Sequence, residues 1–447
     1  MYLDKVDRFF SYLFNTGPLQ ANIYARTTGL AGLLIFSFGL SMSKSLQLFG
    51  LLFMLAGLML DHKRAWNVLK SSPAVILIFI FLAFIWIRTF YGIFIETEID
   101  AAQLVDGARK YSYFLILPVF AWWLMADEKV ISRFFLITII TTIIYIILFS
   151  NVNPLEFAQG RPGDRNLPTL LLAYGLFLGI LVVWQTSFIC KLALGTDRGN
   201  IAKLCIFGLL AMAWLTVFLT LIHLATRAVI GGMLVALIIS APLIIYKSLI
   251  QRTSISPVRT KYAAIIIAVV IVGPLLYLSV DTLKDRYTRE ADIVRHLLHG
   301  KDSAELPVER LGVRLHMWMV GADRFQESPL IGHGWGIPVK IEKNNVRSHF
   351  HNTFVETFVA WGILGAVLFF SVFAVMGARI VKAWRNGYIS YEMLIFIGGA
   401  AIVVLASSMT HSLGIRQTTW TYAALWAGVA LSYCLDFSKQ SAVDEKK

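Results

Sequence analysis

The strongest constraint on this chain is the recurrence of long apolar runs with very little charge. A helix needs about 20 mostly apolar residues to cross a bilayer. Such runs fall at about 27–41, 45–60, 73–93, 111–126, 131–149, 167–187, 203–222, 226–246, 261–280, 352–377, 391–409 and 416–435. Hydrocarbon offers no partner for backbone N–H and C=O groups, so each run must satisfy its own. The runs are continuous and do not alternate, which favours helices over a transmembrane β-barrel. Only 15% of the 447 residues are charged, against roughly 25% in a soluble domain. The fold class expected is all-α: a polytopic membrane protein of about twelve transmembrane helices. The first two runs are short, and their hydropathy also fits a re-entrant pair. No small-residue cleavage site follows the first run, so no cleavable signal is expected. Cys190, Cys205 and Cys434 show no paired spacing, which argues against a disulfide framework or a metal knuckle.

The net charge of +13 invites a nucleic-acid reading, but its distribution argues otherwise. With a cytoplasmic N-terminus, the inner segments carry 21 Lys and Arg residues and the short outer loops carry 7. That asymmetry is the positive-inside signal and puts both termini inside. No nucleic-acid partner is needed to explain it. The chain then divides into nine helices over 1–280, one long outer loop over 281–351, and three helices with a tail over 352–447. Two short helices are expected in the loop, at 286–299 and, after Pro307, at 308–326. Gly332, Gly334 and Gly336 should break the chain before the next span.

Six of the nine histidines lie in the long loop, and loop length explains several of them. His349 and His351 differ because they stand at the mouth of a span. Thr353 and Glu356 have the spacing of a capping box, which would hold His351 just outside the first turn. A neutral imidazole there can take a proton from a hydroxyl near pH 7. A histidine that only hydrogen-bonds the loop fits the same local sequence.

Arginines are the second element. Arg227 follows Thr226 in a very short outer turn, at headgroup depth, where a guanidinium can grip phosphate with two hydrogen bonds or simply snorkel. Arg310 and Arg314 are four apart and share a helix face beside Met317 and Trp318. They could hold a pyrophosphate or form a solvated face. Arg88 lies inside the third span, where charge is usually functional or snorkelled. Arg161 and Arg165 add two further outer cations. Gly332–Gly336 reads as a turn, and its amides could form an anion nest. No metal-protease motif, nucleotide-binding glycine loop or nucleophile elbow is present, so no metal or cofactor is expected.

Together, Arg314-x-x-x-Trp318, Pro329-Leu-Ile-Gly332-His-Gly334-Trp-Gly336, His351-Asn352-x-x-x-Glu356 and Trp361-Gly-Ile-Leu-Gly365 resemble the O-antigen ligase/polymerase superfamily. Thr226-Arg227 resembles that family's mid-chain arginine. The layout is most similar to the O-antigen ligases (WaaL type), because only one outer loop is long. Trp361 departs from the pattern, where a small or acidic residue often precedes the glycine. The resemblance implies a glycosyltransferase of the bacterial inner membrane with its active site in the periplasm. Its donor would be a polysaccharide on undecaprenyl pyrophosphate, and its acceptor a sugar hydroxyl of lipid A–core. His351 would be the general base of an inverting displacement. Arg227 and Arg314 would bind the pyrophosphate, helped by Arg88 and Arg161, with His349 and Arg310 also near substrate. An O-antigen polymerase is the nearest alternative. A transporter or flippase is the alternative outside enzymes, although no repeat of two halves is evident.

The topology is directly testable. With Cys190, Cys205 and Cys434 replaced, a cysteine placed at Ser303 should react with a membrane-impermeant maleimide added from the periplasmic side, and one placed at Ser254 should not. The reverse pattern would invert the topology.

Overall fold

The computed structural model describes residues 22–95, 99–149, 176–187, 227–250, 310–337, 339–342, 345–347, 349–410 and 417–435, with a few positions within 5–13 and 209–218. The described part is built from helices with one small hairpin. In chain order they are α1 (Ile23–Met42), α2 (Lys44–Leu60), α3 (His62–Leu69), α4 (Pro73–Ile95), α5 (Ala101–Tyr111), a 3₁₀ turn (Ser112–Leu115) and α6 (Ile116–Leu124). Then come α7 (Glu128–Phe149), α8 (Leu176–Ser187), α9 (Arg227–Ile250) and α10 (Arg310–Glu327). Strands β1 (Val339–Glu342) and β2 (Asn345–Arg347) precede α11 (Thr353–Arg385), α12 (Tyr391–Thr410) and α13 (Gln417–Ser432).

Among the described residues, four helices are long and apolar enough to cross a membrane: α1, α4, α11 and the Tyr391–Met409 stretch of α12. A fifth crossing forms if α2 and α3, bent by 95° at Asp61, are counted as one broken span. The expected count of twelve reaches beyond these. The run at 261–280 lies outside the described residues, as do most of the run at 203–222 and the expected loop helix at 286–299. The other expected loop helix appears as α10.

Outward faces show why these helices suit lipid. In α4, Ile78, Phe81, Ile85, Arg88 and Gly92 are buried, while Ile76, Phe79, Ile80, Ile87 and Phe90 are exposed. Both stripes follow helical spacing, and the exposed one is as apolar as the buried one. A water-facing surface does not carry so continuous an apolar stripe. An apolar outer face over a helix this long suits lipid and places the helix in a membrane.

The first two runs form a tight antiparallel pair, α1 against α2. The chain reverses at Ser43, whose extended backbone starts α2 and whose Oγ accepts the Ser45 N–H. Gly32, Gly39, Gly50 and Gly57 lie where an added Cβ would meet the partner helix at under 3.0 Å. Small residues permit such close backbone approach where lipid supplies no hydrophobic drive. The expected run at 111–126 also gains detail. Pro118 has no N–H to return to the Phe114 carbonyl, and the helix tightens to 3₁₀ geometry over Ser112–Leu115.

The main structural event lies in α11. Its ladder is interrupted at Gly362 (φ 61°, ψ −167°). In an unbroken helix the Ile363 and Leu364 amides would bond the Val359 and Ala360 carbonyls. Here Ile363 N–H donates to Pro329 O at 2.8 Å and Leu364 N–H to Leu330 O at 3.1 Å. The two vacated carbonyls accept instead from His333 N–H at 3.0 Å and Gly334 N–H at 2.8 Å. The glycine turn is thus threaded into the helix, and these two amides and two carbonyls all find partners in it. Gly332 (φ 68°) and Gly362 meet back to back, with an added Cβ on Gly332 only 2.5 Å from the Ala360 carbonyl.

Gly362→Ala and Gly332→Ala should each destabilise the detergent-solubilised protein by about 2 kcal/mol or more, from left-handed strain plus backbone collision. Gly377→Ala, in the same helix with open space around it, should be neutral or stabilising by up to about 1 kcal/mol. Thermal unfolding of the three variants side by side checks this. Equal midpoints would contradict the threaded turn.

Candidate active site

The site forms where the threaded turn, α10 and the start of α11 meet. Asn352 is the N-cap of α11, and its Oδ1 accepts from Phe354 N–H at 2.9 Å and Val355 N–H at 3.2 Å. The cap therefore falls one residue earlier than the Thr353–Glu356 pair suggests. Glu356 still reaches back, but further: its Oε2 accepts the Phe350 N–H at 2.9 Å. A carboxylate in the first turn is also favoured by the helix dipole, and Glu356 is buried.

Phe350 is held from the other side as well. The Trp318 indole N–H donates to Phe350 O at 3.1 Å. The Phe350 ring is buried, and it closes on Gly321 of α10. Both backbone polar groups of the residue between the two histidines are thus occupied. The next residue, His351, has φ 52°, a left-handed conformation that costs a side-chain-bearing residue about 1–2 kcal/mol. Such strain persists where its surroundings over-determine it, and it clusters at functional positions.

The outcome is an imidazole pair. His349 Nε2 and His351 Nε2 lie 3.0 Å apart. The ring centroids are 4.2 Å apart and the planes cross at 73°. Both rings are half-buried.

The expected arginines are placed differently from one another. Arg314 is half-buried and lies one helical turn before Trp318, on the face of α10 that bonds the Phe350 carbonyl. Arg227 opens α9 and Arg310 opens α10. Arg161 lies outside the described residues. Arg88 is buried. Its Nη2 donates to Gly332 O at 2.6 Å, and its Nε lies 3.1 Å from both Ile331 O and Gly332 O. The intramembrane arginine therefore bolts α4 to the tip of the threaded turn. Ser328 Oγ donates to the same Gly332 carbonyl at 3.0 Å.

The amides of the turn are also accounted for. Gly332, His333 and Gly334 donate to Ser328, Val359 and Ala360, so these three do not form the anion nest that their sequence allowed. His333 Nε2 contacts Arg324 O at 2.7 Å, tying the turn to the end of α10. Trp335 and Trp361 both pack edge-on against Tyr111, at 5.6 and 5.4 Å. Trp361, unusual against the family pattern, is fully buried at this joint.

Residues 208–370 match the family model described as O-antigen ligase. The matched segment contains the threaded turn, the histidine pair and the break at Gly362. This segment, about a third of the chain, is similar to that family. No curated protein matches the chain. The glycine-rich turn and the Gly362-x-x-Gly365 stretch after the histidine are the two halves of one joint. The sequence reading missed this because the halves are some 30 residues apart and the joint is made by backbone. It also missed the clamp on Phe350. The alternation His-Phe-His was its only signal, an apolar residue held inward between two polar ones.

Glu356 acts here as a cap, so Glu356→Gln, which keeps an acceptor oxygen, should retain transfer activity within about threefold. Glu356→Ala should lose about 1 kcal/mol or more of stability with the cap. Inactivity of the Gln variant at unchanged stability would make the carboxylate an acid or base instead.

Proposed function

We propose that this protein is an O-antigen ligase. It transfers a polysaccharide from undecaprenyl pyrophosphate to a sugar hydroxyl of lipid A–core at the periplasmic face of the inner membrane. The observation that carries this reading is His351: a strained, half-buried imidazole at the mouth of a membrane helix, beside an arginine-bearing helix and inside the matched segment.

His351 takes the proton of the acceptor hydroxyl as its oxygen attacks the anomeric carbon. Displacement from the opposite side inverts that carbon. The leaving undecaprenyl pyrophosphate is already stable as an anion, so it needs charge stabilisation more than a proton. Arg227 and Arg314 supply that charge, with Arg310 and Arg161 alongside. Arg88 supports the site through the turn it holds. The reaction uses no metal or nucleotide in this scheme. The polarity of the exposed surfaces supports the layout: a prenyl chain lies along the apolar faces while the glycan stays on the water side.

Purified protein in lipid nanodiscs, given undecaprenyl-pyrophosphate glycan, should form product only when lipid A–core is added. Chain elongation without lipid A–core would make it a polymerase instead. His351→Ala should lower transfer by about 10²–10⁴-fold while leaving donor binding intact, and full activity would reject the base assignment. Arg314→Lys should recover only part of the activity lost in Arg314→Ala, because lysine lacks the two-pronged grip on phosphate.

A further inference from the structure

We propose that His349 is a positioning residue for His351, and that the two imidazoles work as one base. This rests on the transfer reaction proposed above. At an Nε2–Nε2 separation of 3.0 Å, one nitrogen donates and the other accepts. Two N–H groups would collide there, and two bare nitrogens would repel. Each neutral ring carries one proton. One of the two protons therefore lies between the Nε2 atoms, and the other sits on Nδ1 of the accepting ring. Nδ1 of the donating ring carries none, and it is the basic position of the pair.

For His351 to be the base, it must be the donating ring, with its proton on Nε2 and Nδ1 receiving the hydroxyl proton. His349 enforces that tautomer by accepting at Nε2. In the opposite arrangement the basic nitrogen moves to His349 and His351 has none to offer. The contact is held in place because Glu356 and Trp318 fix both backbone groups of the residue between the rings.

The step balances. The acceptor O–H bond breaks, its proton forms Nδ1–H on His351, and the oxygen bonds the anomeric carbon. The bond from that carbon to the pyrophosphate oxygen breaks, and the electron pair leaves with undecaprenyl pyrophosphate. The new imidazolium donates through Nε2 to His349, so the positive charge spreads over two rings. Water takes the proton before the next turnover.

The test compares His349→Leu with His349→Gln, whose amide oxygen can accept from His351 Nε2–H. The Leu variant should lose about 10²-fold in kcat with KM for donor and acceptor unchanged, and the Gln variant should recover at least about tenfold of it. In a His351→Ala background, His349→Leu should cause no further loss. If the Leu variant does not fold, His349→Met takes its place. Wild-type kcat in His349→Leu, an equal loss in the Gln variant, or a loss confined to KM would each overturn the proposal. If His349→Leu is fully active while His351→Ala is dead, the pair alone falls. If His351→Ala is itself active, the transfer mechanism falls first.

Discussion

The site depends on an exchange of four backbone hydrogen bonds. At Gly362 the long helix α11 gives up two of its own rungs, and the turn at Pro329–Gly334 supplies four replacements. In a membrane protein this is a severe requirement, since an unsatisfied backbone group away from water costs several kcal/mol. The break is possible only because the turn arrives, and the turn is ordered only because the helix opens. Arg88 completes the arrangement by placing a guanidinium on the two carbonyls at the turn's tip. Hydrogen bonds to a charged donor are the stronger kind.

From that joint the histidines follow by short covalent distances. The turn fixes the upper part of α11 against α10 and α4. The first turn of α11 then presents Asn352 and Glu356, which shape the three residues before it. Trp318 closes the other side of Phe350. The strained backbone of His351 is the remainder, the conformation left when its neighbours on both sides are held. The chemistry proposed for the pair needs that constraint, because a mobile histidine would not keep one tautomer facing one partner.

Much of this was legible in the sequence. Apolar runs located the helices, and their boundaries in α4, α7 and α12 follow the hydropathy closely, because lipid imposes one simple length rule. The same rule left the bend at Asp61 unseen: the short helix after it carries His62, Lys63 and Arg64, and hydropathy reads those only as an end. Glycines at 332, 334 and 336 announced a turn but not its partner, since hydrogen bonds between distant backbones leave no side-chain signature. Arg88 was visible as a costly charge, and the sequence could not say whether phosphate or carbonyl oxygen answers it. The hairpin Val339–Arg347 was missed because pieces of four and three residues are too short for alternation to register.

The small-residue seam between α1 and α2 has a consequence for how a lipid would meet the protein. These helices lock together through glycines and leave Phe49, Leu52, Phe53 and Leu55 projecting outward. A seam closed by backbone contact cannot open a little; it is either shut or absent. The prenyl tail of the proposed donor would then find no fissure there and would lie along the outer face of the helices. The first hairpin would thus close one side of the approach to the proposed site and leave the others open.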